Sequence, residues 1–322
     1  MNIIKKFFSS ILILHTSLIA QSTVGPYLWC PSTDPNSTVT IFFVHGLVDN
    51  ETQAYNYFKQ SFKGHCKNNN LFDRYVHDLD HESLVSVQFD DAGSGISKYF
   101  KARYSTLGQG NEIERIKQVY DACNLGEKDT IIFHGPSRGP AAIINFIAKY
   151  NPTNIGGLIL ESAFDSVQGG LQAKSLYKSK KRFCHWCMYT VFRYRRDGEH
   201  PIDQIKFIKN KNLPILIVCS EQDNIVHWRS SENLYNAFIK NGFTNVQFVK
   251  TKQGGHAKIL WGPDGDQYVN AVRALKEKIQ EIKLNNAEKE MSLQIEKYVK
   301  SKSKEYQKKF LESLAIEELE RL

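Results

Sequence analysis

Gly135-Pro136-Ser137-Arg138-Gly139 follows the short apolar run Thr130 to Phe133 and opens a helix-forming stretch, AAIINFIAKY. A serine flanked by glycines at a strand-to-helix junction is the pattern of a nucleophile elbow. The turn is so tight that only small residues fit two positions to either side, here Gly135 and Gly139. It pushes the Ser137 hydroxyl out at the sheet edge and aims the first helical N–H groups at negative charge developing nearby. A serine nucleophile needs a base, and the base needs an orienting acid; behind such an elbow they follow in the order serine, carboxylate, histidine. Asp223 lies four residues beyond the apolar run LPILIVC, and His256 sits in the turn-like QGGHA that follows VQFVK. In this assignment His256 Nε2 takes the Ser137 proton and returns it to the leaving group, while Asp223 holds the imidazole tautomer.

A second element lies upstream, where the run TVTIFFV enters His45-Gly46-Leu47. The loop after that strand supplies one oxyanion N–H and the residue after the nucleophile supplies the other, which assigns the pair to Leu47 and Arg138. Other clusters carry less chemistry. His77, Asp80 and His81 stand close together but lack the helical spacing of a zinc site and read as a solvated loop. Cys184 and Cys187, in C-H-W-C, lack the βαβ surroundings of a redox dithiol and read as a structural disulfide or two free thiols. Cys219 closes an apolar run and reads as a buried thiol; the pairing of the other cysteines is left open.

These residues need a scaffold that holds strand ends together. Short β-branched and aromatic runs at Thr38 to Val44, Leu84 to Phe89, Thr130 to Phe133, Gly157 to Leu160, Ile215 to Cys219 and Val246 to Val249 alternate with helical stretches. The helical candidates are Ala54 to Phe62, Asn111 to Ala122, Pro140 to Tyr150, Ser230 to Lys240 and Gln267 to Ile282. Runs as continuously apolar as TIIF and ILIV suit strands buried on both faces, so the pattern predicts an α/β domain with a mostly parallel sheet covered by helices on each side. We place this domain at 38–283, with 21–37 as a lead-in.

Segment 165–213 is longer than one crossover helix requires and reads as an inserted helical cap. Eight of its residues between Ser166 and Arg196 are basic and none is acidic, which equals the +8 formal excess of the whole 322-residue chain. Tyr177, Phe183, Trp186, Tyr189, Phe192 and Tyr194 alternate with these charges. The mixture suits an anionic, partly apolar membrane surface, steering of an anionic substrate, nucleic acid bound without specificity, or a solvated basic face over an aromatic core; specific nucleic-acid recognition is not expected. Segment 284–322 is polar, helix-prone and neutral, and reads as a helical extension, docked on the body, paired with another chain, or frayed at the surface. At the other end, Lys5 and Lys6 precede an apolar run that closes on Ala20, the pattern of a cleaved secretory signal over 1–20. It predicts a secreted or periplasmic protein, with an uncleaved membrane anchor as the alternative.

Taken with FDDAGSGIS at Phe89 to Ser97 and LILESAFDS followed by LPILIVCSEQDNIV, these motifs resemble the α/β-hydrolase superfamily over residues 38 to 282. The likeness is strongest to monoacylglycerol-lipase-like and serine-aminopeptidase-like members. The resemblance implies a cofactor-free serine hydrolase of the α/β-hydrolase fold acting on esters, amides or lipids, with a sheet reduced to about six strands. Some members carry the triad acid where Glu161 stands, but distance from the preceding strand and the family pattern favour Asp223. Pro136 and Pro140 depart from the usual elbow sequence. Pro140 suits a first helical turn, whereas Pro136 fixes φ beside the strained position.

The expectation is an exported enzyme cleaving a carboxylic ester or acylglycerol through an acyl-enzyme on Ser137. An aminopeptidase or amidase on the same triad is the first alternative. A catalytically weak binding protein that uses the basic cap is the second.

Overall fold

The computed structural model describes residues 27–30, 32, 34, 36–46, 82–89, 105–126, 128–170, 194–195 and 198–319. Among these residues the centre is one sheet of seven strands: β1 (Tyr27–Cys30), β2 (Val39–Val44), β3 (Ser83–Val87), β4 (Thr130–Pro136), β5 (Ile155–Glu161), β6 (Ile215–Ser220) and β7 (Val246–Thr251). They lie in the order β1-β3-β2-β4-β5-β6-β7. Six strands run parallel, as the continuous apolar runs predict. β1 lies within the stretch read as a lead-in and adds an antiparallel edge to β3, with Tyr27 opposite Val87.

Alternation along each strand divides the apolar side chains between the two faces of the sheet. On one face Phe42, Val44, Val85, Val87, Ile131, Phe133, Leu158, Leu160, Ile215 and Ile217 form a continuous core. Helices α1 (Gly110–Ala122), α2 (Gly139–Tyr150) and α3 (Trp228–Lys240) close over it with Ile113, Ile116, Phe146, Leu234 and Phe238. The other face carries Phe43 and His134, and His134 Nε2 lies 2.9 Å from the hydroxyl of Tyr268, in the first turns of helix α4 (Gly265–Leu319). Tyr268 is fully buried there. Truncating a ring such as Phe133, packed 5.3 Å from Phe42 and 5.6 Å from Phe146, costs about 3–5 kcal/mol in cores of this kind.

Helix α2 is buried along nearly its whole length, which suits its apolar sequence, and it ends at Asn151, which donates its N–H to the Ile147 carbonyl and turns the chain out of the helix with a left-handed φ of 44°. Asparagine tolerates that conformation better than most residues.

The chain divides into two compact units, Met1–Leu275 and Lys276–Leu322. In the second unit the helix exposes Leu284, Met291, Ile295, Tyr298 and Tyr306. Among the described residues no helix is long and apolar enough to cross a membrane. The leader-like residues 1–20, the expected helix at Ala54 to Phe62, and the cap between 171 and 193 lie outside the described residues. Described residues on either side of that stretch are tied to the body. Asp165 accepts hydrogen bonds from the Ser230 hydroxyl at 2.6 Å and the Asn233 amide at 2.7 Å. Gln109 holds the returning chain, donating to the Arg195 carbonyl at 3.0 Å and accepting from the Arg195 N–H at 2.9 Å.

Candidate active site

Strand β4 stops at Pro136, and Ser137 turns the chain into α2 with φ of 59°, a left-handed conformation that side chains rarely adopt. Pro136 therefore does not prevent the elbow: it ends the strand in register with Glu161 of β5, and the Ser137 N–H donates to the Glu161 carbonyl at 2.8 Å. Pro140 sits in the first turn of α2, where its missing N–H costs nothing. The need for small residues is direct. A Cβ on Gly139 would lie 2.1 Å from the Val44 carbonyl oxygen, and one on Gly135 would lie 2.8 Å from Ile143 Cδ1.

The turn brings Ser137 Oγ within 2.8 Å of His256 Nε2. His256 stands on the loop after β7 between Gly255 and Ala257, both at positive φ, and Ala257 N–H donates to Ser162 Oγ at 3.2 Å. Its Nδ1 lies 2.8 Å from Asp223 Oδ2 and 3.0 Å from Oδ1. A carboxylate only accepts, so Nδ1 carries the imidazole proton and Nε2 is left to accept from the serine hydroxyl. The carboxylate is itself held by the N–H groups of Ile225 and Val226, each 2.9 Å from Oδ1. Asp223 is buried and His256 is slightly open to solvent, as a base that must meet substrate needs to be. Ser137, Asp223 and His256, separated widely in sequence, are thus brought together in the expected order.

Glu161, the competing acid, is fully buried and turned elsewhere. Its carboxylate accepts from Ile259 N–H at 3.4 Å and from the Tyr268 hydroxyl. Burial first, and then the Glu161 charge and hydrogen bond, push the Tyr268 phenol well above its ordinary range. Glu161 therefore supports the His256 loop from beneath.

Leu47 lies outside the described residues, but His45 and Gly46 before it do not. His45 Nε2 accepts the Phe89 N–H at 3.3 Å, which leaves the proton on Nδ1, 2.7 Å from the Gly46 carbonyl. Burial, and next the adjacent Arg138 cation, hold this imidazole well below the usual histidine range, against the opposing pull of the Gly46 hydrogen bond. Arg138, expected to matter through its backbone N–H, also has a buried side chain. Its guanidinium donates to Gly46 O at 3.0 Å and Ser105 Oγ at 3.0 Å, pairs with Glu112 at 3.3 Å, and lies 4.6 Å from the Phe89 ring centre. Sequence reasoning missed Glu112 and Ser105; the only available signal was an arginine entering an otherwise apolar helix, where a buried charge demands a partner.

Cys219 is a buried free thiol, and burial pushes its pKa up to about 12. Cys184, Cys187 and the His77, Asp80 and His81 cluster lie outside the described residues. Among the described residues no group of three or more histidine, cysteine, aspartate or glutamate side chains is arranged to hold a metal.

No known family profile matches the sequence, and no curated protein matches it. Solved structures do match. The esterase Pf2001 of Pyrococcus furiosus aligns with a TM-score of 0.51 at 17% identity, over 79% of this chain and 86% of that one. An acylaminoacyl peptidase in complex with Z-Gly-Gly-Phe-chloromethyl ketone aligns with a TM-score of 0.53 at 15% identity, over 79% of this chain. The fold is that of the α/β-hydrolases. The chain spans only 39% of that peptidase and 35% of the Pyrococcus horikoshii acylaminoacyl peptidase, which aligns with a TM-score of 0.49 at 15% identity. At such identities the likeness extends to the fold alone.

Proposed function

We propose that this α/β-hydrolase-fold chain is a serine hydrolase that cleaves a carboxylic ester or acylglycerol through an acyl-enzyme on Ser137. The observation that carries the reading is the continuous hydrogen-bonded line from Ser137 Oγ through His256 to Asp223, with both links at 2.8 Å. As Oγ attacks the acyl carbon, its proton passes to His256 Nε2, and Asp223 stabilises the imidazolium that results. The tetrahedral oxyanion is met by the backbone N–H of Arg138 at the start of α2 and, in this proposal, by that of Leu47. The imidazolium then protonates the leaving oxygen, and the C–O bond to the leaving group breaks. Water, deprotonated by the same nitrogen, attacks the acyl-enzyme and releases the acid. The leader-like residues 1–20 support export of this hydrolase, and the basic, aromatic cap supports attraction to an anionic lipid surface.

The test is labelling of the purified protein with a fluorophosphonate probe, with Ser137→Ala and His256→Ala alongside. Labelling of the unmodified chain that disappears in both variants is expected. Parallel assays with p-nitrophenyl esters and aminoacyl p-nitroanilides then separate ester from amide cleavage. A folded, unmodified chain that takes up no probe would refute the enzyme reading.

A further inference from the structure

In the second unit, every large apolar side chain of α4 from Leu284 to Tyr306 is more than half exposed. A helix turns 100° per residue, so all of these but Leu293 fall within an arc of about 100° on one side. A continuous apolar stripe of that kind on an otherwise charged helix marks a surface made for a partner rather than for water. Counting outward from Ile295 by 4, 3, 4 and 3 residues reaches Met291, Glu288, Leu284 and Glu281 in one direction, and Val299, Lys302, Tyr306 and Lys309 in the other. All of them lie on the stripe. It is therefore symmetric about Ile295 in spacing, and its two sides match in kind: apolar mirrors apolar, and each glutamate mirrors a lysine. The charge of the whole helix divides at the same place. Residues 284–296 carry Glu288, Glu290 and Glu296 against Lys289, a net −2, whereas 297–309 carry six lysines against Glu305, a net +5.

We infer, independently of the chemistry at Ser137, that a second copy of the chain docks on this stripe as an antiparallel helix pair with its two-fold axis at Ile295. A two-fold interface is self-complementary: if position i meets position j, then j meets i. Turning one helix over about Ile295 places Met291 on the partner's Val299, Leu284 on the partner's Tyr306, Glu288 on the partner's Lys302 and Glu281 on the partner's Lys309. Ile295 meets its own counterpart. Every charged position in the seam then faces the opposite sign, and each half of one helix lies along the oppositely charged half of the other. A parallel pair would instead set Glu288 and Lys302 each on its own copy, like against like. Lys302 and Lys309 lie 2.7 and 3.1 Å from Glu305 on their own helix. An ammonium has three donors, so these exposed contacts leave room for a carboxylate across the seam. The acidic first half makes an anionic lipid surface the poorer occupant. From Glu281 to Lys309 the seam runs ~42 Å at 1.5 Å per residue.

Sedimentation velocity of the purified full chain tests this, and the unmodified protein should show a mass twice that of one copy. Ile295→Asp sets two carboxylates on the axis and should raise the dimer Kd at least ~100-fold. Glu288→Lys and Lys302→Glu each create two like-charge contacts per dimer and should raise Kd about tenfold. The double variant restores opposite signs and should return Kd to within about threefold of the unmodified value. Exchanging exposed glutamate and lysine barely changes helix propensity, so this rescue decides the matter even if Ile295→Asp disturbs the helix itself. Circular dichroism checks that helix content is kept. An unmodified protein that stays a single copy at every concentration overturns the proposal, and its capture in that state by phosphatidylserine vesicles would assign the stripe to lipid instead. A dimer indifferent to Ile295→Asp overturns it as well, as do two weakened charge variants that the double substitution fails to rescue.

Discussion

Asp223→Asn changes one atom and preserves shape, so its effect follows from hydrogen-bond bookkeeping alone. The carboxylate has two sides. Oδ1 accepts the N–H groups of Ile225 and Val226, each at 2.9 Å, and Oδ2 lies 2.8 Å from His256 Nδ1. An asparagine has one acceptor oxygen and one NH2. Two backbone donors compete for the oxygen against one imidazole nitrogen, so the oxygen settles on Ile225 and Val226 and the NH2 faces Nδ1. Nδ1 must then accept, which moves the ring proton to Nε2, where it points at Ser137 Oγ. A nitrogen that already carries its proton cannot take another from serine. The same substitution in a protease triad lowers kcat about 10⁴-fold, or ~5.5 kcal/mol in the barrier. We expect a loss of that order here, with KM little changed and the thermal midpoint retained, because both backbone hydrogen bonds survive. Initial rates on p-nitrophenyl butyrate and a thermal melt of each variant provide the check. A loss below about tenfold, together with one above about 10³-fold in Glu161→Gln, would show that the acid is Glu161 and refute the reasoning.

Four further outcomes follow from the geometry. Gly139→Ala sets a Cβ 2.1 Å from Val44 O and should cost about 3 kcal/mol in urea unfolding; a midpoint equal to that of the unmodified protein would contradict it. His45 is kept neutral in the folded protein but protonates near its ordinary pKa when unfolded. Its share of the stability is therefore complete above about pH 6.5 and is lost as the pH falls below that, by up to ~1.4 kcal/mol per pH unit. His45→Gln should remove that component, and equal slopes in the two proteins between pH 7 and 5 would refute it. Cys219, with a pKa of about 12, holds only ~10⁻⁴ of its thiol as thiolate at pH 8, so peptide mapping should find it alkylated by iodoacetamide only after unfolding. Ser162→Gly relieves a left-handed φ that Ser162→Ala keeps, and both lose the hydrogen bond from Ala257, so the glycine variant should be the more stable by about 1 kcal/mol; equal denaturation midpoints would count against stored strain.

The parts of this molecule legible in the sequence are those governed by local pattern. The apolar runs marked β2 to β7 to within a few residues, because strands buried on both faces must be apolar throughout. Ser137, Asp223 and His256 were legible because each follows such a run and their order is constrained. β1 was missed: Tyr27–Cys30 is short, and only its pairing with β3 makes it a strand. The Arg138 network was missed for a related reason. Gly46, Ser105, Glu112 and Arg138 have no common spacing, and they meet only when the ends of β2 and β4 lie side by side. A charged pair buried beneath a loop leaves no periodic trace, whereas an amphipathic face does.

What unites the strand ends is backbone strain held by neighbours. Ser137, Ser162 and Ala257 all adopt left-handed φ, at 59°, 49° and 49°, without being glycine. Conformations of this kind cost about 1–3 kcal/mol each, a sizeable share of the ~5–15 kcal/mol by which a domain is stable. None of the three stands alone. Ser137 N–H donates across to the Glu161 carbonyl, and Ser162 N–H to the Val218 carbonyl, each at 2.8 Å. Ala257 N–H returns to Ser162 Oγ at 3.2 Å. The parallel ladder is thereby carried past the ends of β4 and β5 and into the loop that bears His256. Each strained residue is held by the element beside it, so loosening one releases its neighbour. The 2.8 Å separation of Ser137 Oγ and His256 Nε2 is for this reason a property of several strand ends together, maintained by the core beneath them rather than by either residue's own preference.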